Sequence, residues 1–251
     1  MLEYNPLACY PSSEELPDSD ETPVDNELQD LIPGLLKAVL AMAWSQRMDW
    51  FFAVDMGIYF DPLLPPIVPD GFLSLGVERI IDEYLRRSYP LWEEKTLPIL
   101  TLEVVSQTYR GEYSTKKEEY RNLGILYYVV YNPLRRRKPR LEVYKLVNGE
   151  YQVFTENLVW MPEIGLGMGI ERGTYQGITR EWMYWYNEGG VRILTPEEQA
   201  QLAQQQAKLA QQQLQQAEQQ AQLAQQQVQQ AEQRAQILAQ RLRELGVDPD
   251  S

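Results

Sequence analysis

Residues 100–133, LTLEVVSQTYRGEYSTKKEEYRNLGILYYVVYNP, read as a strand, a loop, a helix and a second strand. The first strand has the near-continuous apolar run of a segment buried on both faces. Glu103 nevertheless sits inside it, among Ile99, Leu100, Leu102, Val104 and Val105. A carboxylate there is costly unless a positive charge meets it. Any fold for this chain must therefore bury a strand–helix–strand unit and supply Glu103 with a cation.

The flanking sequence extends that unit into a larger sheet. Leu28, Leu31, Ile32, Leu35, Leu36, Val39, Leu40 and Ala43 have the i, i+3, i+4 spacing of an amphipathic helix. Pro33 and Gly34 imply that it begins near Asp30 or kinks there. WFFAVDMGIYF (50–60) and PPIVPDGFLSL (65–75) are predicted strands, and VERIIDEYLRRSYPLWEEK (77–95) is a polar insertion of helical appearance. STKKEEYRNLG (114–124) predicts a helix ending at Gly124. PRLEVYKLVNGEYQVF (139–154) predicts a hairpin turning at Asn148-Gly149. The aromatics of EWMYWY (181–186) read as core rather than as a base-stacking platform. Together these predict a mixed α/β sheet flanked by helices.

A different composition begins at TPEEQ (195–199). From there the chain is Gln, Ala and Leu, and AKLAQQQLQQAEQQ (207–220) returns as AQLAQQQVQQAEQR (221–234), a period of two heptads. With Ala207, Leu214, Ala221, Val228, Ala235 and Leu242 at a, position d holds Ala210, Ala217, Ala224, Ala231, Leu238 and Leu245. Sustained a/d apolar positions predict a coiled coil and a homo-oligomer. A seam of mostly Ala buries little area, so a solvated single helix is the alternative. Thr195-Pro196 followed by acids is a start signal and Gly246 a stop. The expected organisation is an extended segment at 1–25, a sheet domain at 26–194, a coiled coil at 195–246 and a tail at 247–251.

Composition removes several chemistries. The 251 residues include no His, which excludes histidine bases, Ser-His-Asp and Cys-His catalysis and most zinc sites. Cys9 is the only thiol, so no internal disulfide forms and a reducing interior is expected. The first twenty residues lack the pattern of a signal peptide, and no apolar run is long enough to span a bilayer. A cytoplasmic location without a membrane partner is expected. The formal net charge of −13 argues against a sequence-blind nucleic-acid coat. The one dense basic run, PLRRRKPR (133–140), is by default a solvated hairpin loop. In a functional role, Arg135, Arg136, Arg137 and Lys138 would contact phosphate.

Asp55 and Asp70 join Glu103 as acids at strand positions. Each has a plain structural explanation: Asp70 lies in a Pro-Asp-Gly turn, and Asp55 could face solvent. Carboxylates converging from neighbouring strands repel one another and need a cation, and oxygen ligands without His or Cys favour Mg²⁺ or Mn²⁺.

The ordered set of VPD (68–70), LTLEVVS (100–106), a helix with KKEEY (116–120) and the strand ILYYVVYNP resembles the Uma2 (DUF820) family. That family is assigned to the PD-(D/E)XK nuclease superfamily and is common in cyanobacteria. The resemblance covers roughly residues 10–195, and RLRELGVDPD at the end of the chain is similar to the tails of cyanobacterial members. It implies a PD-(D/E)XK nuclease-like fold, DNA as substrate and a Mg²⁺ or Mn²⁺ cofactor. It matches the first motif acid to Asp70 and the second to Glu103. The backbone carbonyl of Val104 would be a further metal ligand, and Asp55 a looser one. The motif lysine is replaced by Val105. Family members share that departure and carry the lysine on the following helix in a K-x-x-x-Y pattern, here Lys116 to Tyr120. Lys117 points about 100° away around the helix and is the weaker candidate. Glu27 matches a helix acid of the superfamily but is equally good as first-turn chemistry. The resemblance thus implies catalysis by Asp70, Glu103 and Lys116. The alternative is a catalytically inactive nuclease-fold protein acting as a coiled-coil interaction module.

Overall fold

The computed structural model describes residues 10–13, 15, 16, 26–81, 83, 85–107, 109–134 and 137–244. Gly246, Leu245, Arg135 and Arg136 lie outside them, as does most of the 1–25 segment. The chain divides into two units, one ending at Pro196 and the other beginning at Glu197.

The first unit is built on a six-stranded mixed sheet of order β1-β3-β5-β6-β7-β8. Its strands are β1 (Trp50–Val54), β3 (Gly71–Leu75), β5 (Leu100–Val104), β6 (Tyr127–Tyr131), β7 (Leu141–Val147) and β8 (Glu150–Phe154). β5 and β6 are parallel, joined through α3 (Thr115–Leu123), and every other pair in the sheet is antiparallel. A parallel pair requires such a crossover. Gly124 ends α3 in a left-handed conformation (φ 88°), where a side chain would be strained. Asn148 and Gly149, both at positive φ, make the predicted β7–β8 turn.

Alternation along the strands sorts the core onto two faces. Phe52, Leu73, Leu100, Leu102, Val104, Val129 and Val143 pack with α1 (Leu28–Ala43) and with a second, three-stranded sheet. That sheet has the order β11-β10-β9, from Ile178–Tyr186, Leu166–Tyr175 and Leu158–Met161. The aromatics of residues 182–186 are buried there as core. On the other face two apolar clusters lie apart. Phe51, Ala53 and Phe72 gather over β1 and β3, and Tyr120, Tyr128, Val130 and Tyr144 over β6, β7 and α3. Between them β5 contributes Thr101 and Glu103, both buried and polar. The site lies in this seam.

Three sequence expectations are corrected. α1 starts at Leu28 and carries Pro33 within it, so of the two expectations for this helix the start near Asp30 is the one set aside. The 50–60 strand breaks after Val54, because Asp55 turns to φ 50°, and resumes as the two-residue β2 (Ile58–Tyr59). The 77–95 insertion is not helical except at α2 (Leu91–Glu94), preceded by β4 (Tyr89–Pro90), which pairs with β2. Its arginines are drawn flat onto β1 aromatics, Arg79 at 4.5 Å from the Trp50 ring centre and Arg86 at 4.6 Å from that of Phe51.

Among the described residues the second unit is helical, in α4 (Pro196–Glu244), whose larger described apolar residues, among them Leu214, Val228 and Leu238, are exposed. No described helix is long and apolar enough to cross a membrane.

Candidate active site

Three adjacent strands end in a row of acids. Gly71 pairs with Val54 on one side and Leu102 on the other, so one step along the sheet Asp70 stands between Asp55 and Glu103. The row is joined through the backbone, since Asp55 N–H donates to the Asp70 carbonyl at 3.3 Å. Asp70 Oδ2 accepts the Val104 N–H at 2.5 Å, which ties the acid to the end of β5 where pairing with β3 has stopped. From α1, Gln29 Nε2 donates to Asp70 Oδ1 at 3.3 Å.

Glu103 is 2% exposed, and both its oxygens are engaged. Lys116 Nζ donates to Oε2 at 2.8 Å and Tyr120 Oη to Oε1 at 2.6 Å. Both donors come from one face of α3, because residues four apart stack on a helix. Lys117, next around the helix, instead places its ammonium 4.8 Å from the centre of the Tyr144 ring. The cation that Glu103 demands is therefore Lys116.

One lysine does not balance two acids. Burial first, and the charge of Glu103 second, push the Asp70 carboxyl well above the ordinary aspartate range, against the pull of the Val104 N–H and Lys116. Burial likewise raises Glu103, although Lys116 and Tyr120 favour its ionised form. Burial lowers Lys116, but Glu103 and then Asp70 outweigh it, and the ammonium is held above its usual value. With both acids ionised, Asp70, Glu103 and Lys116 carry one uncompensated negative charge in a poorly solvated seam. That charge and the oxygen-only donor set fit a hard divalent cation. Among the described residues no three acidic side chains gather as a ligand cluster, so such an ion would rest on few carboxylates and keep water. Asp55 is exposed and acts on Asp70 through its field.

Of the basic run, Arg137 and Lys138 are exposed, and Lys138 lies 4.8 Å from the ring centre of Tyr113 in the loop leading into α3. Glu27 precedes α1 and makes no side-chain capping bond; Gln29, two residues on, is what reaches the row. Sequence reasoning missed Gln29 and the donor role of Tyr120. Only for Tyr120 was there a signal, its spacing of four from Lys116. It also missed Glu112, a buried acid whose charge raises Glu103 further.

No curated protein matches the chain. Residues 19–174, more than half of the chain and spanning the whole acid row with Lys116 and Tyr120, match the Uma2 family, described as "putative restriction endonuclease". The chain belongs to the Uma2 family.

Proposed function

We propose that this protein is a metal-dependent endonuclease that hydrolyses DNA phosphodiester bonds at the Asp70–Glu103–Lys116 seam. The observation that carries this is the charge balance: a buried and a half-buried acid on adjacent strands share one lysine, and a cation completes the set. Asp70 and Glu103 would hold Mg²⁺ or Mn²⁺. The Val104 carbonyl would join them, because a strand residue's carbonyl points to the same side as its N–H, here toward Asp70. When bound, the ion supplies Lewis acidity to the phosphodiester and to the attacking water. Lys116 orients that water and counters charge developing on the phosphoryl oxygens. Tyr120 holds Glu103 in place, and Gln29 and the Val104 N–H hold Asp70. No histidine base is needed, in keeping with a His-free chain.

The exposed heptad residues of α4 support homo-oligomerisation through 195–246. A dimer would offer one active site to each strand of a duplex. Lys138, beside the loop that leads to Lys116, supports phosphate contact by the 133–140 run. The competing function, an inactive module, draws on the same Glu103–Lys116 pair acting only as a buried ion pair.

Cleavage of supercoiled plasmid separates the two. The parent protein is expected to cut with Mg²⁺ and not with EDTA, and Glu103→Gln to lose cutting while keeping its circular-dichroism spectrum. Equal cutting by parent and variant would point to a contaminant and leave the interaction module standing.

A further inference from the structure

A pocket of about 460 Å³ runs along the free edge of β1, between the second half of α1 and residues 79–81, 85 and 86. It carries four cations in a chain whose net charge is −13. Two of them are neutralised. Arg47 pairs with Asp49 at 2.9 Å and Arg86 with Glu94 at 2.6 Å. Lys37 and Arg79 are not: among the described residues neither makes an ion pair, and both are half-buried. They are also close enough to act on each other, since burial first and Arg79 second lower the Lys37 ammonium. Two like charges held together without a carboxylate are unfavourable unless an anion joins them. The Arg79 guanidinium is fixed over the Trp50 ring and Arg47 lies 4.3 Å over Trp44, so cations and aromatic rings alternate along the pocket. A groove of that composition suits a nucleic-acid strand, whose phosphates meet the cations and whose bases meet apolar and aromatic surface.

Its position gives it a role. Val54 and Met56 line the pocket on either side of Asp55, the first acid of the row. With strands about 4.8 Å apart and about 3.3 Å per residue, the Trp50 end of β1, where Arg79 stacks, lies roughly 19 Å from Glu103, and the groove along the β1 edge spans that interval. A strand with one phosphate at Asp70 that follows the groove can therefore lay a phosphate a few nucleotides further on at Lys37 and Arg79.

Building on the nuclease function proposed above, we infer that the Lys37–Arg79 pocket binds a backbone phosphate of the substrate strand a few nucleotides from the one being cut. Fluorescein-labelled single-stranded DNA titrated in EDTA tests this without cleavage. Arg79→Gln should weaken binding several-fold and make the dependence of log affinity on log salt shallower by about 0.7. Lys37→Glu should weaken it at least tenfold, on the order expected for reversing one phosphate contact. It gives Arg79 a carboxylate partner, so the fold is retained, with near-ultraviolet circular dichroism as the check. Parent-like affinity and salt slope in Lys37→Glu overturn the inference, even if the parent cleaves. Inorganic phosphate that shifts Trp emission in the parent but not in Lys37→Glu, without displacing DNA, also overturns it by showing a small-anion site. Loss of binding in Lys37→Glu supports the pocket even if the parent fails to cleave with Mg²⁺; that failure sinks only the nuclease function.

Discussion

Replacing Lys116 by Met removes the ammonium that touches Glu103 while keeping most of its packing. Glu103 is 2% exposed and Lys116 27% exposed, so the carboxylate would be left in a dry seam with Tyr120 as its remaining donor. Removing one partner of a buried ion pair costs about 3–5 kcal/mol. The partly wet ammonium and the surviving 2.6 Å Tyr120 bond place this case lower, at ~2–3 kcal/mol. For a urea slope of about 2–3 kcal/mol/M, the unfolding midpoint should fall by about 1 M. The penalty should depend on pH. Burial already raises Glu103 and Lys116 opposes it, so the substitution raises the folded carboxyl further above its unfolded value. The folded variant then binds the proton more tightly than the unfolded chain does. The penalty is accordingly small in acid and grows as pH rises through the variant's folded pKa. Adding Glu103→Gln to Lys116→Met should recover most of the loss. A penalty under about 0.5 kcal/mol at neutral pH, within the range of ordinary surface substitutions, would refute a charged, buried Glu103. So would one that is equal in acid and at neutrality.

Tyr120→Phe should cost about 1.5–3 kcal/mol, the range for a hydrogen bond to a charged group, in urea unfolding at neutral pH; a neutral effect would deny the bond to Glu103. Because burial and Glu103 hold the Asp70 carboxyl up, Mg²⁺-supported cleavage should rise with pH with a midpoint above the ordinary aspartate range. A single-turnover profile already flat through mild acid would contradict that. Deleting residues 196–251 should leave a folded core that sediments as a smaller species than the full chain and nicks DNA more readily than it breaks both strands. Identical sedimentation at equal concentration would assign association to the sheet domain.

The β5–α3–β6 unit was legible because every local signal agreed: apolar runs of strand length, a polar helix between them and Gly124 to stop it. The β7–β8 hairpin was legible from Asn148-Gly149 alone. The 77–95 insertion misled because its apolar spacing suits a helix, whereas what holds it is the stacking of Arg79 and Arg86 on strand aromatics, which no local periodicity encodes. The break at Asp55 was hidden for a similar reason: β-rich composition continues on both sides of a single left-handed residue. Within the site, an acid in an apolar strand announced Glu103, and helical spacing brought Lys116 and Tyr120 to one face. Gln29 reaches Asp70 from 41 residues away in sequence, a contact that only the packing of α1 on the sheet creates. The heptads of α4 specify a seam, but its partner is not written in the period.

Binding of Mn²⁺ followed by electron paramagnetic resonance tests the central claim most directly, because it reads the ion on the acids without requiring turnover. The parent protein should bind one ion per chain at the seam, and Asp70→Asn and Glu103→Gln should each lose it while remaining folded. Stoichiometric binding that is unchanged in both variants, or no binding by the parent at millimolar Mn²⁺, would contradict the assignment of Asp70 and Glu103 as the metal-holding pair.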